Sequence, residues 1–285
     1  MTTFADFFRR LLPSVAALAA ASVALAQSSS ALLPFASEET KARIDKEYFA
    51  AGKQHKALAL TEAGASHFVQ GRATLDEAIA MTLSQCQDRN TRNPCFIAAE
   101  DNQLVVQSRY TPDAIQKGAL ELLRRTPLAM ESYFDEERDA GVPPTKAFRT
   151  REAHAPTPTT VPGAKTISTR ALAEMLKNSK PVLINVLDWK EGAFAIPGTL
   201  WIQGLGKPLG PRESAEFKTL LAQVAPDRST PIVVYCLSWE CWMSYNAALT
   251  IRQLDFTNVY WYRGGLFSWN QAGLPVVRAK LYKQL

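Results

Sequence analysis

Two short apolar runs in the C-terminal half restrict the fold more than any other feature of this chain: Pro181-Val-Leu-Ile-Asn-Val-Leu187 and Pro231-Ile-Val-Val-Tyr-Cys236. Neither shows the polar–apolar alternation of a half-exposed strand, so each reads as a strand covered on both faces. Helical patterns surround them. Ser168 caps one from Arg170 to Leu176, a second runs from Glu213 to Ala225, and a third from Ser244 to Leu254. A further strand reads from Asn258 to Tyr262, and Gly265 to Ala272 closes the unit. Strands alternating with helices predict a parallel sheet flanked by helices, an α/β domain over residues 165–278.

The residues before it have a different grammar. A charged helix is expected from Glu38 to Ala51, then a strand pair, Lys56–Thr61 and Ser66–Gln70, turned at Gly64. Thr74 caps the next helix, with Glu77 completing a capping box, and that helix ends near Cys86. Short strands follow at Cys95–Ala99 and Leu104–Gln107, then a helix from Pro112 to Arg124. This order predicts a small α+β domain over residues 36–141. Between the two domains, residues 142–164 hold Pro143, Pro144, Pro156, Pro158 and Pro162 among Thr and Ala. Such a segment is expected to be a stiff, extended linker, with His154 in solvent.

The first residues read as a targeting segment. Arg9 and Arg10 precede an apolar run, Leu11 to Leu25, and Ala24-Leu25-Ala26 fits a small-x-small cleavage site. A secretory signal peptide over residues 1–26 is the expectation, with a membrane anchor as the alternative. The compartment is then periplasmic. Net charge is +5; removing Arg9, Arg10 and Asp6 with the leader leaves +4. That charge is spread out and no Lys/Arg block occurs, so the sequence gives nucleic-acid binding no support. The four cysteines fall into two local pairs. In an oxidising compartment Cys86 and Cys95, around a short polar loop, read as a structural disulfide. No His or carboxylate cluster with metal-ligand spacing stands beside either pair, and no metal is expected.

Several strings match one known family in the right order. "VLINVLD" (182–188), "AIPGTLWI" (195–202), "PIVVYC" (231–236) and "NVYWYRGGLFSWNQAGLPV" (258–276) together resemble the rhodanese-like domain. The stretch "YCLSWECWMSYNA" (235–247) is similar to a bacterial subgroup of exported rhodanese-like proteins. These are named for a Cys-x-x-Cys-Trp motif and associated with pyrroloquinoline-quinone (PQQ)-dependent catabolism of alcohols. Here the two cysteines stand further apart than in that motif. The string from Ala57 through Val106 looks like a small exported domain in which a helix ending in Cys is tied to the next strand.

The resemblance implies a sulfurtransferase. Cys236 would be the nucleophile that holds a persulfide, with a sulfur donor and a thiol-containing acceptor as its partners. Leu237, Ser238, Trp239, Glu240, Trp242 and Ser244 would line the substrate loop. A cysteine where a strand turns into a helix sits over free N–H groups that favour the thiolate. The family's loop, however, ordinarily carries an Arg for an anionic donor. This loop carries none, and Glu240 would repel thiosulfate if it faced inward; Arg263 is a candidate for the rim. Cys241, as a second working cysteine, opens a dithiol–disulfide couple or resolution of a persulfide, with an inert structural Cys236–Cys241 disulfide as the alternative. Three functions therefore stand open: a sulfurtransferase or persulfide carrier, a redox or accessory protein for a periplasmic quinoprotein dehydrogenase or cytochrome, and a non-catalytic binding module. No cofactor is expected on the chain itself; PQQ would belong to a partner enzyme.

Overall fold

A computed structural model describes residues 30–188 and 193–285. The expected leader lies outside them. Helix α1 (Glu38–Ile44) begins at Ser37, whose hydroxyl accepts from the Thr40 amide. Strands β1 (Ala57–Thr61) and β2 (Ser66–Val69) form a hairpin. Helix α2 (Leu75–Arg89), strands β3 (Cys95–Glu100) and β4 (Gln103–Leu104), and helices α3 (Val106–Arg109) and α4 (Pro112–Arg125) follow.

The four strands make an antiparallel sheet in the order β2-β1-β3-β4. Its central strand is covered on both faces. Ala57 and Ala59 meet Ala78 and Cys86 of α2, whereas Leu58 and Leu60 join the cluster of Tyr48, Phe96 and Ile115. Thr74 caps α2 through the Glu77 amide at 3.1 Å, and the Glu77 carboxylate reaches back to the Ala73 amide. Two local expectations shift. Helix α2 runs past Cys86 to Arg89, where the Asn90 side chain closes it on the Cys86 carbonyl. Of the strand expected over Leu104–Gln107 only Leu104 pairs, together with Gln103 before it; the chain then coils into α3, with the Arg109 and Tyr110 amides on the Val105 and Val106 carbonyls.

Cys86 and Cys95 form a disulfide across 6.2 Å of Cα separation, tying α2 to β3. For a loop this short, closure entropy is worth about 3 kcal/mol. Urea denaturation of Cys86→Ser/Cys95→Ser should show a loss of that size.

The second unit comprises β5 (Lys165–Ile167), α5 (Thr169–Asn178), β6 (Val182–Asn185), β7 (Phe194–Ala195), β8 (Thr199–Gln203), α6 (Pro211–Val224), β9 (Ile232–Tyr235), α7 (Trp242–Gln253), β10 (Val259–Tyr262), α8 (Gly265–Gln271), β11 (Val277–Arg278) and β12 (Leu281–Gln284). Six strands build one sheet in the order β12-β8-β6-β9-β10-β5, and every pairing is parallel. The central strand β9 is buried along its whole length, as its unbroken apolar run requires. The strands therefore deliver their carboxyl ends to one edge, the usual place for a site in an α/β sheet.

The two units are stitched together by the last residues. Buried Glu62 accepts from the Tyr110 hydroxyl at 2.6 Å and from the Arg278 amide at 2.8 Å. The Pro/Thr-rich segment departs from a free spacer. It forms neither helix nor strand, yet Val161 is buried, and Val142, Phe148, Ala153 and Ala155 pack on the α/β core. Proline holds such a chain extended and leaves carbonyls free to accept hydrogen bonds from a neighbour. Among the described residues, no helix is long and apolar enough to cross a membrane.

Candidate active site

Cys236 follows the last residue of β9, and Cys241 immediately precedes α7. Their sulfurs are joined, with the Cα atoms 6.3 Å apart. Both cysteines are buried, at 0% and 1% exposure. In this state the expected thiolate is absent, since the Cys236 sulfur is oxidised and out of solvent contact.

The loop between them is fixed from two sides. On one side is the start of α8, whose Leu266 and Phe267 amides donate to the Cys236 and Leu237 carbonyls at 3.1 and 2.9 Å. Gly265 makes that approach possible: its φ is +59°, and a Cβ there would lie 2.6 Å from the Cys236 oxygen. Glycine alone tolerates both conditions. Within the loop, Ser238 Oγ accepts from the Glu240 amide at 3.3 Å, and the Cys241 amide donates to the Ser238 carbonyl at 3.1 Å.

On the other side lies the Pro/Thr-rich segment, which acts as a strap. The Trp242 amide, at the first turn of α7, donates to the Ala153 carbonyl at 2.8 Å. That amide belongs to the helix end expected to hold an anion. The Trp242 indole Nε1 donates to the Pro156 carbonyl at 3.1 Å, His154 pairs with Cys241 as an isolated bridge, and the Thr157 amide donates to the Trp239 carbonyl at 3.2 Å. Farther along α7, Tyr245 and Asn246 bind the strap backbone at Thr145 and Arg149.

The residues expected to line the loop take different places. Trp239 is buried, with two guanidinium groups against its ring, Arg138 at 5.4 Å and Arg263 at 5.3 Å from the centroid. Trp242 is buried under Arg149, at 5.1 Å, and against the Tyr245 ring. Leu237 is half-buried and Ser238 buried. Glu240 is exposed, so it does not bring its charge inward. Ser244 is buried, donating to the Cys241 carbonyl and accepting from Trp261 Nε1 at 3.0 Å; its hydroxyl holds the helix start. Asp188, three residues past the end of β6, pairs with Lys207 at 3.3 Å. Among the described residues no three His, Cys, Asp or Glu side chains gather as metal ligands, and His154 is exposed.

Arg263, expected at the rim, is 1% exposed. Its Nε donates to Thr157 Oγ1 at 3.1 Å, Nη1 to the Glu136 carbonyl at 2.7 Å, and Nη2 to the Arg138 and Thr157 carbonyls at 2.8 and 2.9 Å. Glu136, Arg138, Arg149 and Thr157 complete the site from outside the loop. They lie far from Cys236 in sequence, in a stretch with no periodic pattern, and only the folded chain brings them together.

Glu136 anchors the strap. Its Oε2 accepts from the Thr169 amide and hydroxyl at 2.8 and 2.7 Å, at the start of α5, and its Oε1 from the Tyr133 amide at 3.2 Å. Burial pushes its carboxyl above the ordinary carboxylate range, and the Thr169 bonds only partly offset that. A raised carboxyl favours the folded state while protonated, and the benefit is lost as pH rises through the folded pKa. Relative to Glu136→Gln, the native chain should therefore gain stability as pH falls from about 7 to about 4. Urea midpoints across that range measure the difference.

The family model for the rhodanese-like domain matches residues 168–272, which contain β6, β8, β9, β10 and the Cys236–Cys241 loop. These residues form a rhodanese-like domain. The crystal structure of thiosulfate sulfurtransferase from Pseudomonas aeruginosa is similar at 19% identity and a TM-score of 0.34, over 42% of this chain and 21% of that one. The solution structure of the 30 kDa polysulfide-sulfur transferase homodimer from Wolinella succinogenes is similar at 22% identity and a TM-score of 0.31, over 41% of this chain and 81% of that one. The chain thus spans about a fifth of the first of these proteins. No curated protein matches the chain.

Proposed function

We propose that the rhodanese-like domain handles sulfane sulfur on Cys236, with Cys241 as the resolving thiol. One observation carries this reading: Cys236 ends a central parallel strand inside the matched domain, and its sulfur is bonded to that of Cys241. The cycle starts from the disulfide. An external dithiol supplies two electrons and two protons and opens the Cys236–Cys241 bond. The Cys236 thiolate then attacks the outer sulfur of a sulfane donor. The bond from that sulfur to the rest of the donor breaks, and the leaving group departs with the electron pair. Cys236 is left as a persulfide.

Two exits follow. A thiol acceptor can take the terminal sulfur. Alternatively, the Cys241 thiolate attacks Cys236 Sγ, expels hydrosulfide and restores the disulfide. The second exit reduces sulfane sulfur to sulfide at the expense of the dithiol. An exported protein would do this in the periplasm. The closed disulfide also favours a second reading, in which Cys236 and Cys241 exchange electrons with a periplasmic quinoprotein (PQQ) dehydrogenase or cytochrome and carry no sulfur.

Stoichiometry separates the two. The reduced protein, mixed with thiosulfate or polysulfide, should release one sulfide for each Cys236–Cys241 disulfide re-formed. Disulfide formation on contact with an electron-transfer partner, with neither sulfide nor persulfide appearing, would place the pair in redox traffic instead.

A further inference from the structure

Among the described residues, Arg263 is the one cation that the sheet register places beside Cys236. Tyr262 stands opposite Tyr235 in the parallel register of β10 and β9, so Arg263 and Cys236 are the next residues off adjacent strands. The guanidinium also stacks on Trp239, inside the cysteine loop. It is buried, and its hydrogen-bond acceptors are all neutral: three backbone carbonyls and one hydroxyl. Among the described residues no carboxylate pairs with it at salt-bridge distance; the Asp139 charge reaches it only weakly against the desolvation that lowers its pKa. A buried charge held by neutral dipoles alone is poorly compensated, and an anion would compensate it better. Three of its four acceptors are backbone carbonyls, those of Glu136 and Arg138 just before the strap and that of Thr157 within it, whose oxygens present partial negative charge where an anion's oxygens or sulfurs would lie.

Resting on the reading of Cys236 as a sulfur acceptor, we propose that Arg263 is the binding residue for an anionic sulfane donor, and that the strap at Thr157 and the backbone leading into it at Glu136 and Arg138 occupy it in the closed state. The donor class is a small anion carrying sulfane sulfur, thiosulfate or an inorganic polysulfide. Binding exchanges these carbonyls for the donor, frees the loop, and delivers the outer sulfur to the neighbouring strand end where Cys236 stands. The Arg missing from the loop is thus supplied by the end of β10. The strap blocks this group until a donor competes for it.

The test separates binding from chemistry. Cys236→Ser/Cys241→Ser keeps both side-chain sizes and cannot carry sulfur. Titrated calorimetrically with thiosulfate, the full chain with this double substitution should bind. Adding Arg263→Gln should weaken binding by at least about tenfold, the scale of losing one charged hydrogen-bonding group; Arg263→Lys, which keeps the charge but loses the fork, should fall between. Thiosulfate should also speed hydrogen exchange of the Trp242 amide, which the Ala153 carbonyl now holds, by about tenfold or more. No binding, or binding unchanged by Arg263→Gln, overturns the assignment. Binding with no change in exchange overturns the occupancy by the strap. If Arg263→Gln does not fold, Arg263→Lys and the exchange experiment on the Arg263 protein decide. Arg263-dependent binding in the double variant, with no persulfide on Cys236 in the native chain, would instead defeat the proposed function and leave this inference standing.

Discussion

Cys236→Ser should abolish sulfur uptake outright, while Cys241→Ser should leave it intact and abolish the release of sulfide by the protein alone. The asymmetry follows from position. Cys236 lies at the end of β9, beside Arg263 in register and cradled by the first amides of α8. Cys241 lies one residue before α7, backed by the strap at His154. A serine hydroxyl is too weak a nucleophile for a sulfane sulfur without a base, and among the described residues no His approaches the loop except His154, whose backbone alone is paired there. Loss of Cys241 removes only the group that expels hydrosulfide. Sulfide release and sulfur content after one turnover of each reduced variant measure the two effects. Equal behaviour of the two variants would remove the division of labour.

Gly265→Ala should cost about 3 kcal/mol, the upper end of the cost of a left-handed non-glycine residue with overpacking added. The new Cβ would stand 2.6 Å from the Cys236 oxygen, 2.6 Å from the Leu237 carbon and 2.7 Å from the Leu237 oxygen. All three are backbone atoms, so no side chain can swing aside. Either the loop moves off α8, breaking the bonds from the Leu266 and Phe267 amides, or β10 and α8 separate. Either way the placement of Cys236 fails. Urea denaturation should show the loss of stability, and sulfur uptake should fall with it even where the protein remains folded. Gly264→Ala offers a contrast: its Cβ meets the Ser268 and Glu136 side chains, so it should disturb the strap anchor rather than the cysteine loop.

The α/β sheet is legible from the sequence because its strands are unbroken apolar runs and its helices carry caps, as at Ser168. The location of Cys236 is legible for the same reason: a buried strand that ends in Cys before a helix leaves little choice. The shift at Leu104–Gln107 was less legible because apolar runs so short fit strand or helix equally. Most hidden was the strap. Residues 142–164 have no periodic pattern, so nothing in their order says which surface they cover. Apart from the Thr157 hydroxyl, their bonds to the site run through backbone groups such as the carbonyls of Ala153 and Pro156, which any residue would supply. The burial of Arg263 was hidden with it. A charged residue beside two glycines reads as a rim residue until the strap closes over it.

The most direct test of the account is the mass of one peptide. Cys241→Ser protein, reduced, exposed to thiosulfate or polysulfide and digested without reductant, should yield the peptide containing Cys236 heavier by one sulfur atom. The extra mass should vanish on treatment with a thiol. A Cys236 peptide of unchanged mass, from folded protein and with either donor, would contradict the assignment of sulfane sulfur to Cys236.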